Sequence, residues 1–324
     1  MKPFFLKTFL FFIIISFACC KKQASATSAN DNVKKQQTTI FSADSAYKYI
    51  ETQVAFGARV PNSTAHKQCG TFLIDKLSQF CDTIYIQNCQ LKAFDGTILH
   101  AQNIIGSFNP ENKKRILLLA HWDSRPWCDA ESDKAKQQTP VLGADDGASG
   151  VGVLLEIARC LSIQKPTFGI DILLTDSEDY GVPSWSDERD SQSWCLGSQY
   201  WAKNPHVKNY NAEFGILLDM VGGANAIFPI EENSQYYAPH IVAKVWEEAQ
   251  QLGYSDLFVS QPFGAITDDH LPINEIARIP TIDIIHLNNQ TGFPDYWHTT
   301  KDDMTNISKN TLKKVGDVVL NSIQ

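Results

Sequence analysis

The chain has 324 residues, 43% of them hydrophobic and 20% charged, which is ample for one large core and excludes disorder as its main state. Its formal net charge is -8, from 36 acidic and 28 basic side chains, and the body contains no basic run. That balance excludes a surface built to neutralise a phosphate backbone, and nucleic acid with it as a partner.

Taken in chain order, Lys2 and Lys7 flank an apolar stretch from Phe9 to Phe17 that ends at Ser16-Phe17-Ala18-Cys19-Cys20. The stretch is too short to span a bilayer and reads as an export signal over residues 1–19. Small residues just before a cysteine resemble a bacterial lipoprotein cleavage box, which would make Cys19 a lipidated first residue; the alternative is an ordinary signal peptide cut nearby. The expected location is the periplasm or cell envelope of a bacterium, with membrane attachment only through that lipid. Residues 20–40 are polar and aperiodic and read as a flexible tether. Residues 41–324 are expected to form one domain, monomeric in solution.

Two helices, Ser45 to Phe56 and Thr71 to Phe80, open the body. Strands are expected at Thr83 to Leu91, Ala101 to Gly106, Ile116 to Ala120, Phe168 to Thr175, Phe214 to Met220 and Thr281 to His286. Between them, Ser149 to Leu161 and Ile241 to Leu252 carry apolar residues at helical spacing, and Ser308 to Ile323 shows Leu312, Val315, Val319 and Ile323 on one face. Strands alternating with helices predict a single-domain α/β sandwich, with a mixed, mostly parallel twisted sheet flanked by helices. Six cysteines follow Cys20, an even number that permits disulfides without fixing a pattern. Cys160 lies in a helical run and reads as a small buried hydrophobe, and no Cys-x-x-Cys pair provides a structural zinc knuckle.

The chemistry lies in five patches: His121-Trp-Asp123, Gly143-Ala-Asp-Asp146-Gly, Ser177-Glu178-Asp179, Leu218-Asp219-Met220 and Tyr296-Trp297-His298. Zinc takes imidazole nitrogen and carboxylate oxygen, and a catalytic zinc keeps one position open. His121, Asp176 and Asp219 each end an apolar run, where ligand sites of open α/β sheets collect. One aspartate before the Ser149 helix would read as a cap; with two, Asp145 and Asp146, the second carboxylate needs another use. Glu178-Asp179 could divide into a metal ligand and a proton carrier, or stand as a solvated loop. His298 alone would read as a packed residue. His66, His100, His206 and His240 have no acidic patch beside them and receive no role.

In order, His121-x-Asp123, Asp146, Glu178-Asp179, Asp219 and His298 resemble the zinc peptidase family M28 over most of the chain after about Ala43. Ala120-His-Trp-Asp-Ser124, Thr267-Asp-Asp-His270-Leu-Pro and Phe293-Pro-Asp-Tyr-Trp-His298-Thr resemble, within it, the glutaminyl-peptide cyclotransferases of the animal type and their bacterial relatives. The resemblance implies one Zn2+ per chain held by Asp146, Asp179 and His298, and Glu178 as general base and acid. It implies that Asp219 and Asp269 form a carboxylate network near the substrate amine, and that Trp297 shapes the pocket. Asp179 departs from the animal enzymes, which carry Glu there. Phe293, Trp185 and Trp194 are further pocket candidates, with surface packing as the alternative for an aromatic in this loop. His121 would ligate in a two-zinc aminopeptidase and be a close neighbour in a one-zinc cyclase. The implied partners are peptides or proteins with N-terminal Gln. A two-zinc exported aminopeptidase is the alternative; an inert binding protein is a third reading, disfavoured by the intact Glu178 and full ligand set.

Overall fold

In the computed structural model, residues 1, 3, 4, 40–187 and 190–324 are described. The export signal, the cleavage box at Cys19 and nearly all of the tether lie outside the described residues. The chain divides into two units, Met1–Gln37 and Thr38–Gln324, and the second contains every element below.

Among the described residues the strands are β1 Thr83–Lys92, β2 Ile98–Phe108, β3 Arg115–His121, β4 Gly169–Thr175, β5 Phe214–Asp219, β6 Phe228–Ile230, β7 Phe258–Pro262 and β8 Thr281–Ile285. The helices are α1 Ala43–Ala55, α2 Thr64–Phe80, α3 Ala148–Ile163, α4 Leu196–Lys203, α5 Glu232–Tyr237, α6 Pro239–Gln251, α7 His270–Glu275 and α8 Lys309–Ser322. The main sheet runs β1-β2-β4-β3-β5-β8. Its β1–β2 and β2–β4 pairs are antiparallel, whereas β4, β3, β5 and β8 run parallel. The expected mixed, mostly parallel sheet with flanking helices is what forms. A separate pair, β6 with β7, is also parallel.

The central strands are covered on both faces, so they read as continuous apolar runs rather than alternations. In β3, Ile116, Leu118 and Ala120 enter the larger core with α1, α3 and α8, while Leu117 and Leu119 face a smaller one with Trp201 and Ile273. Residues on successive positions thus serve opposite faces, the period of two that a strand imposes. Helix α3 buries nearly every side chain and lies tight on the sheet: a Cβ at Gly150 would collide with the Leu218 carbonyl oxygen.

Three expectations change. Neither aspartate caps α3, whose N-cap is Gly147. Asp145 is structural instead, its carboxylate accepting from the Gly222 amide at 2.7 Å and the Tyr296 hydroxyl at 2.5 Å. Helix α2 starts at Thr64 rather than Thr71, with Ser63 accepting from the His66 amide at 3.1 Å. Gly70, inside this helix, is a packing residue whose missing Cβ makes room for Trp122. Among the described residues Cys69, Cys81, Cys89, Cys128, Cys160 and Cys195 are all free thiols, and no helix is long and apolar enough to cross a membrane.

Candidate metal centre and active site

The carboxyl ends of the parallel strands deliver the functional groups. His121 ends β3, Asp219 ends β5, and Glu178 and Asp179 lie in the loop after β4. Asp123 holds that loop, its carboxylate accepting from the amides of Glu178 at 3.1 Å and Asp179 at 3.2 Å. Asp302 does the same for the other acid loop, accepting from the amides of Asp145 at 2.8 Å and Asp146 at 3.2 Å. Ser177, Cys195, Met220 and His298 all have left-handed backbones, with φ between 49° and 58°. Such conformations cost energy in residues with a Cβ, and they gather here, where side chains must be aimed rather than merely packed.

His298 Nε2 lies 3.3 Å from Asp179 Oδ1 and 3.5 Å from Asp146 Oδ2. These three buried residues each offer a ligand atom, all within 4.8 Å of one another, and the other Asp179 oxygen is buried without a hydrogen-bond partner. Two carboxylates converging on one imidazole nitrogen, with an oxygen left orphaned, fit a cation of the zinc type, for which mixed N/O ligation is ordinary. A second group, His121, Asp146 and Asp219, meets the same criterion and shares Asp146 with the first. In it His121 Nε2 is 2.9 Å from Asp146 and 3.3 Å from Asp219.

Electrostatics divides these acids. Burial drives the Glu178 carboxyl well above its ordinary value; His121 opposes the shift, and the charges of Asp179, Asp268 and Asp269 add to it. Burial also pushes Asp219 up to about 6. Burial works against charge on Asp146 too, but hydrogen bonds from His121 and His298 hold it well below the carboxylate range. For His298, burial disfavours the cation, yet Asp179, Asp129 and Asp146 raise it to about 10.

Glu178, Asp219, Asp146, Asp179 and His298 line an inner chamber of about 50 Å³ with Asp268, Trp194, Phe293 and Trp297. It opens on an outer cleft of about 610 Å³, and Trp194, Ile266, Thr267, Phe293 and Trp297 border both. The rings of Phe293 and Trp297 stack at 4.2 Å and form the shared wall. Three expected positions come out elsewhere. Asp269 is fully buried with its carboxylate bound by the hydroxyls of Thr175 and Ser198, and its neighbour Asp268 takes the chamber position. Trp185 is 41% exposed, packs edge-on against Trp127 and lines neither space. His121 is 1% exposed and is not on the chamber wall.

Sequence alone passed over Asp268, Arg125 and Asp129. Arg125 and Asp129 form a buried bidentate ion pair, with Asp129 3.2 Å from His298 Nδ1. Their only signal was an i, i+4 charge pair directly after the His121 patch, which also describes any surface pair.

The model of peptidase family M28 matches residues 103–323. The chain belongs to this family. Among M28-related proteins, it is 30% identical over 242 residues to aminopeptidase YwaD of Bacillus subtilis, covering 71% of this chain and 45% of that protein. It is 26% identical over 244 residues to the glutaminyl-peptide cyclotransferase of Boiga irregularis, covering 67% of this chain and 63% of that protein. The chain therefore spans about half to two thirds of the length of these two curated relatives. Among solved structures, it is 55% identical to Bacteroides thetaiotaomicron glutaminyl cyclase bound to N-acetylhistamine, with a TM-score of 0.87 over 88% of this chain and 98% of that one. A Zn-dependent exopeptidase from Parabacteroides distasonis is also 55% identical, with a TM-score of 0.87 over 88% of this chain and 99% of that one.

Proposed function

We propose that this M28 protein is a zinc-dependent glutaminyl-peptide cyclotransferase, converting N-terminal Gln of peptides or proteins to pyroglutamate with release of ammonia. The observation that carries the reading is the inner chamber: a small, aromatic-walled space, lined by one ligand trio and three further acids, that suits a terminal side chain better than a continuing peptide. The likeness at 55% identity to a glutaminyl cyclase, over nearly all of that chain, supports it.

One Zn2+, held by Asp146, Asp179 and His298, would supply Lewis acidity toward the side-chain amide carbonyl of the glutamine. The reaction forms a bond from the α-nitrogen to the side-chain amide carbon and breaks that carbon's bond to the amide nitrogen, which leaves as ammonia. Glu178 takes the proton that the amine loses and returns it to the leaving nitrogen. Its raised proton affinity suits both halves of that shuttle. Asp219 and Asp268 face the same space and orient the two nitrogens. Phe293 and Trp297 hold the bent conformer and keep water out, which favours ring closure over hydrolysis.

The exported two-zinc aminopeptidase keeps one observation in its favour, the His121, Asp146 and Asp219 group. Against it, His121 does not line the chamber, whereas His298 does. Metal stoichiometry combined with assays on a Gln-peptide and a peptide panel tests the pair. One zinc and ammonia without bond cleavage support the cyclase; two zincs and released N-terminal residues defeat it. The organisation into residues 1–19, 20–40 and 41–324, a monomeric state, and a lipid on Cys19 at the cell envelope complete the proposal, on sequence support. Cys19→Ser should abolish labelling by a radioactive fatty acid.

A further inference from the structure

Beside the ligand trio, Arg125 and Asp129 reach both Asp179 and His298 and the cavity wall. Both are buried, at 1% and 6% exposure. Arg125 donates from Nε to Asp129 Oδ1 at 2.7 Å and from Nη2 to Oδ2 at 2.6 Å, the two-pronged geometry that fixes a carboxylate in plane. Its remaining nitrogen, Nη1, donates to the Asp179 carbonyl at 3.0 Å and to Asp179 Oδ1 at 3.2 Å. That leaves the other Asp179 oxygen as the one without a partner. Asp129 Oδ1 faces His298 Nδ1 at 3.2 Å, so the ring's Nε2 is the nitrogen turned toward Asp146 and Asp179. The Asp129 carboxylate also accepts from the Ser184 amide at 2.8 Å, on the rim of the outer cleft.

The central carbon of the same guanidinium, Cζ, lies over the Trp194 ring, 4.5 Å from its centre. Trp194 borders both chamber and cleft, and its ring is parallel to that of His298 within 7°. Gly181 gives the indole its place, since a Cβ there would run into the ring. An ion pair that served stability alone would not need to touch a ligand with each partner and a cavity wall as well.

We propose that Arg125 and Asp129 are positioning residues for the metal centre and for the substrate wall together. Asp129 fixes the His298 ring through Nδ1, while Arg125 aims Asp179 and seats Trp194. A carboxylate behind a metal-binding histidine sets its tautomer and strengthens it as a ligand. The coupling to Trp194 adds that the fit of the substrate side chain and the grip on the metal depend on one ion pair. This rests on the function proposed above only in its substrate arm.

The test uses the full chain carrying Asp129→Asn, Arg125→Lys, Trp194→Leu or the last two together. Zinc affinity is read by competition with a chromophoric chelator, folding by thermal melting, and kcat and KM on a Gln-peptide. Asp129→Asn and Arg125→Lys should each weaken zinc about 10- to 100-fold, as loss of a ligand's supporting partner does elsewhere. Arg125→Lys should also raise KM several-fold. Trp194→Leu should raise KM with zinc affinity within about twofold of wild type, and should add little to KM once Arg125 is Lys, because the two act as one unit. Zinc affinity unchanged in both ion-pair variants, or fully additive KM effects in the double variant, overturns the proposal. If Asp129→Asn does not fold, nitrogen-15 resonances of His298 in the zinc-loaded wild type decide: metal on Nε2 with a proton on Nδ1 is expected, and metal on Nδ1 overturns it. A wild type that binds zinc but releases no ammonia refutes the proposed function and leaves the zinc arm to judge this inference alone.

Discussion

The two ends of the same central strands treat buried charge in opposite ways. At the amino ends of β3 and β4, Arg115 donates to both oxygens of Asp171 at 2.6 Å, to Ser107 at 2.8 Å and to the Asn109 and Asn112 carbonyls. The Tyr210 hydroxyl adds another donor to Asp171 at 2.8 Å, so each charge there is matched and saturated. At the carboxyl ends, Asp146, Glu178, Asp179, Asp219 and Asp268 crowd one chamber, and oxygens of Asp179 and Asp268 are buried without partners. Burying a polar atom with no partner costs about 1–3 kcal/mol, so a fold keeps such atoms where something else is to bind. The saturated end is framework; the frustrated end is the site.

Substitutions can break this contrast, and the largest effect belongs to the frustrated end. Glu178→Gln removes the proton carrier and keeps the shape. Ammonia release from a Gln-peptide should fall by about 10²–10⁴-fold with zinc still bound; activity near wild type would remove Glu178 from its role. At the saturated end, Arg115→Ala strands the Asp171 charge and should cost about 3–5 kcal/mol in chemical denaturation, with kcat of the folded fraction unchanged. A loss of kcat without a loss of stability would erase the distinction between the two ends. Between neighbours, Asp268→Asn should lower kcat by about 10- to 100-fold, a little over 1 to nearly 3 kcal/mol, whereas Asp269→Asn should act on stability through Thr175 and Ser198.

The Asp268 and Asp269 pair also marks where sequence stopped being legible. All six strands of the main sheet could be read; the four parallel ones, covered on both faces, are continuous apolar runs. β6 and β7 are three and five residues long and pair across a wide gap in sequence, so no local pattern announced them. Of the site, the ordered patches containing Asp146, Glu178, Asp179, Asp219 and His298 were visible, and the structure brings them into one chamber. Adjacent aspartates have the same chemistry, and only the backbone entering α7 decides which one faces the cavity. Arg125 and Asp129 went unread because burial, not identity, distinguishes an organising ion pair from a solvated one. The choice of cyclisation over hydrolysis came from resemblance, since the ligand types alone serve both.

A smaller effect tests the framework end by pH. His206 lies there, accepting from the Trp201 indole at 3.2 Å, and burial lowers it to about 4. The folded value lies below the ordinary one, so the fold favours the neutral ring. Its contribution is complete above about pH 6.5 and is lost as the pH falls toward 4, at a cost on the order of 2 kcal/mol. His206→Gln keeps an acceptor for the indole and removes the titration. Its stability should fall less steeply than wild type between pH 6.5 and 4, and an identical slope would show that the ring is solvated.

The smallest expected effect concerns the tryptophans. Trp185 is 41% exposed and touches Trp127, whereas Trp297 is stacked on Phe293 and borders both chamber and cleft. Trp185→Ala removes surface packing only and should change stability by about 0.5 kcal/mol or less, with KM for a Gln-peptide within experimental scatter. Trp297→Ala takes away the wall itself and should raise KM clearly. Equal KM changes in the two variants would mean that the loop bearing Trp185 closes over the substrate, which would extend the frustrated end of the sheet into a segment that here looks like plain surface.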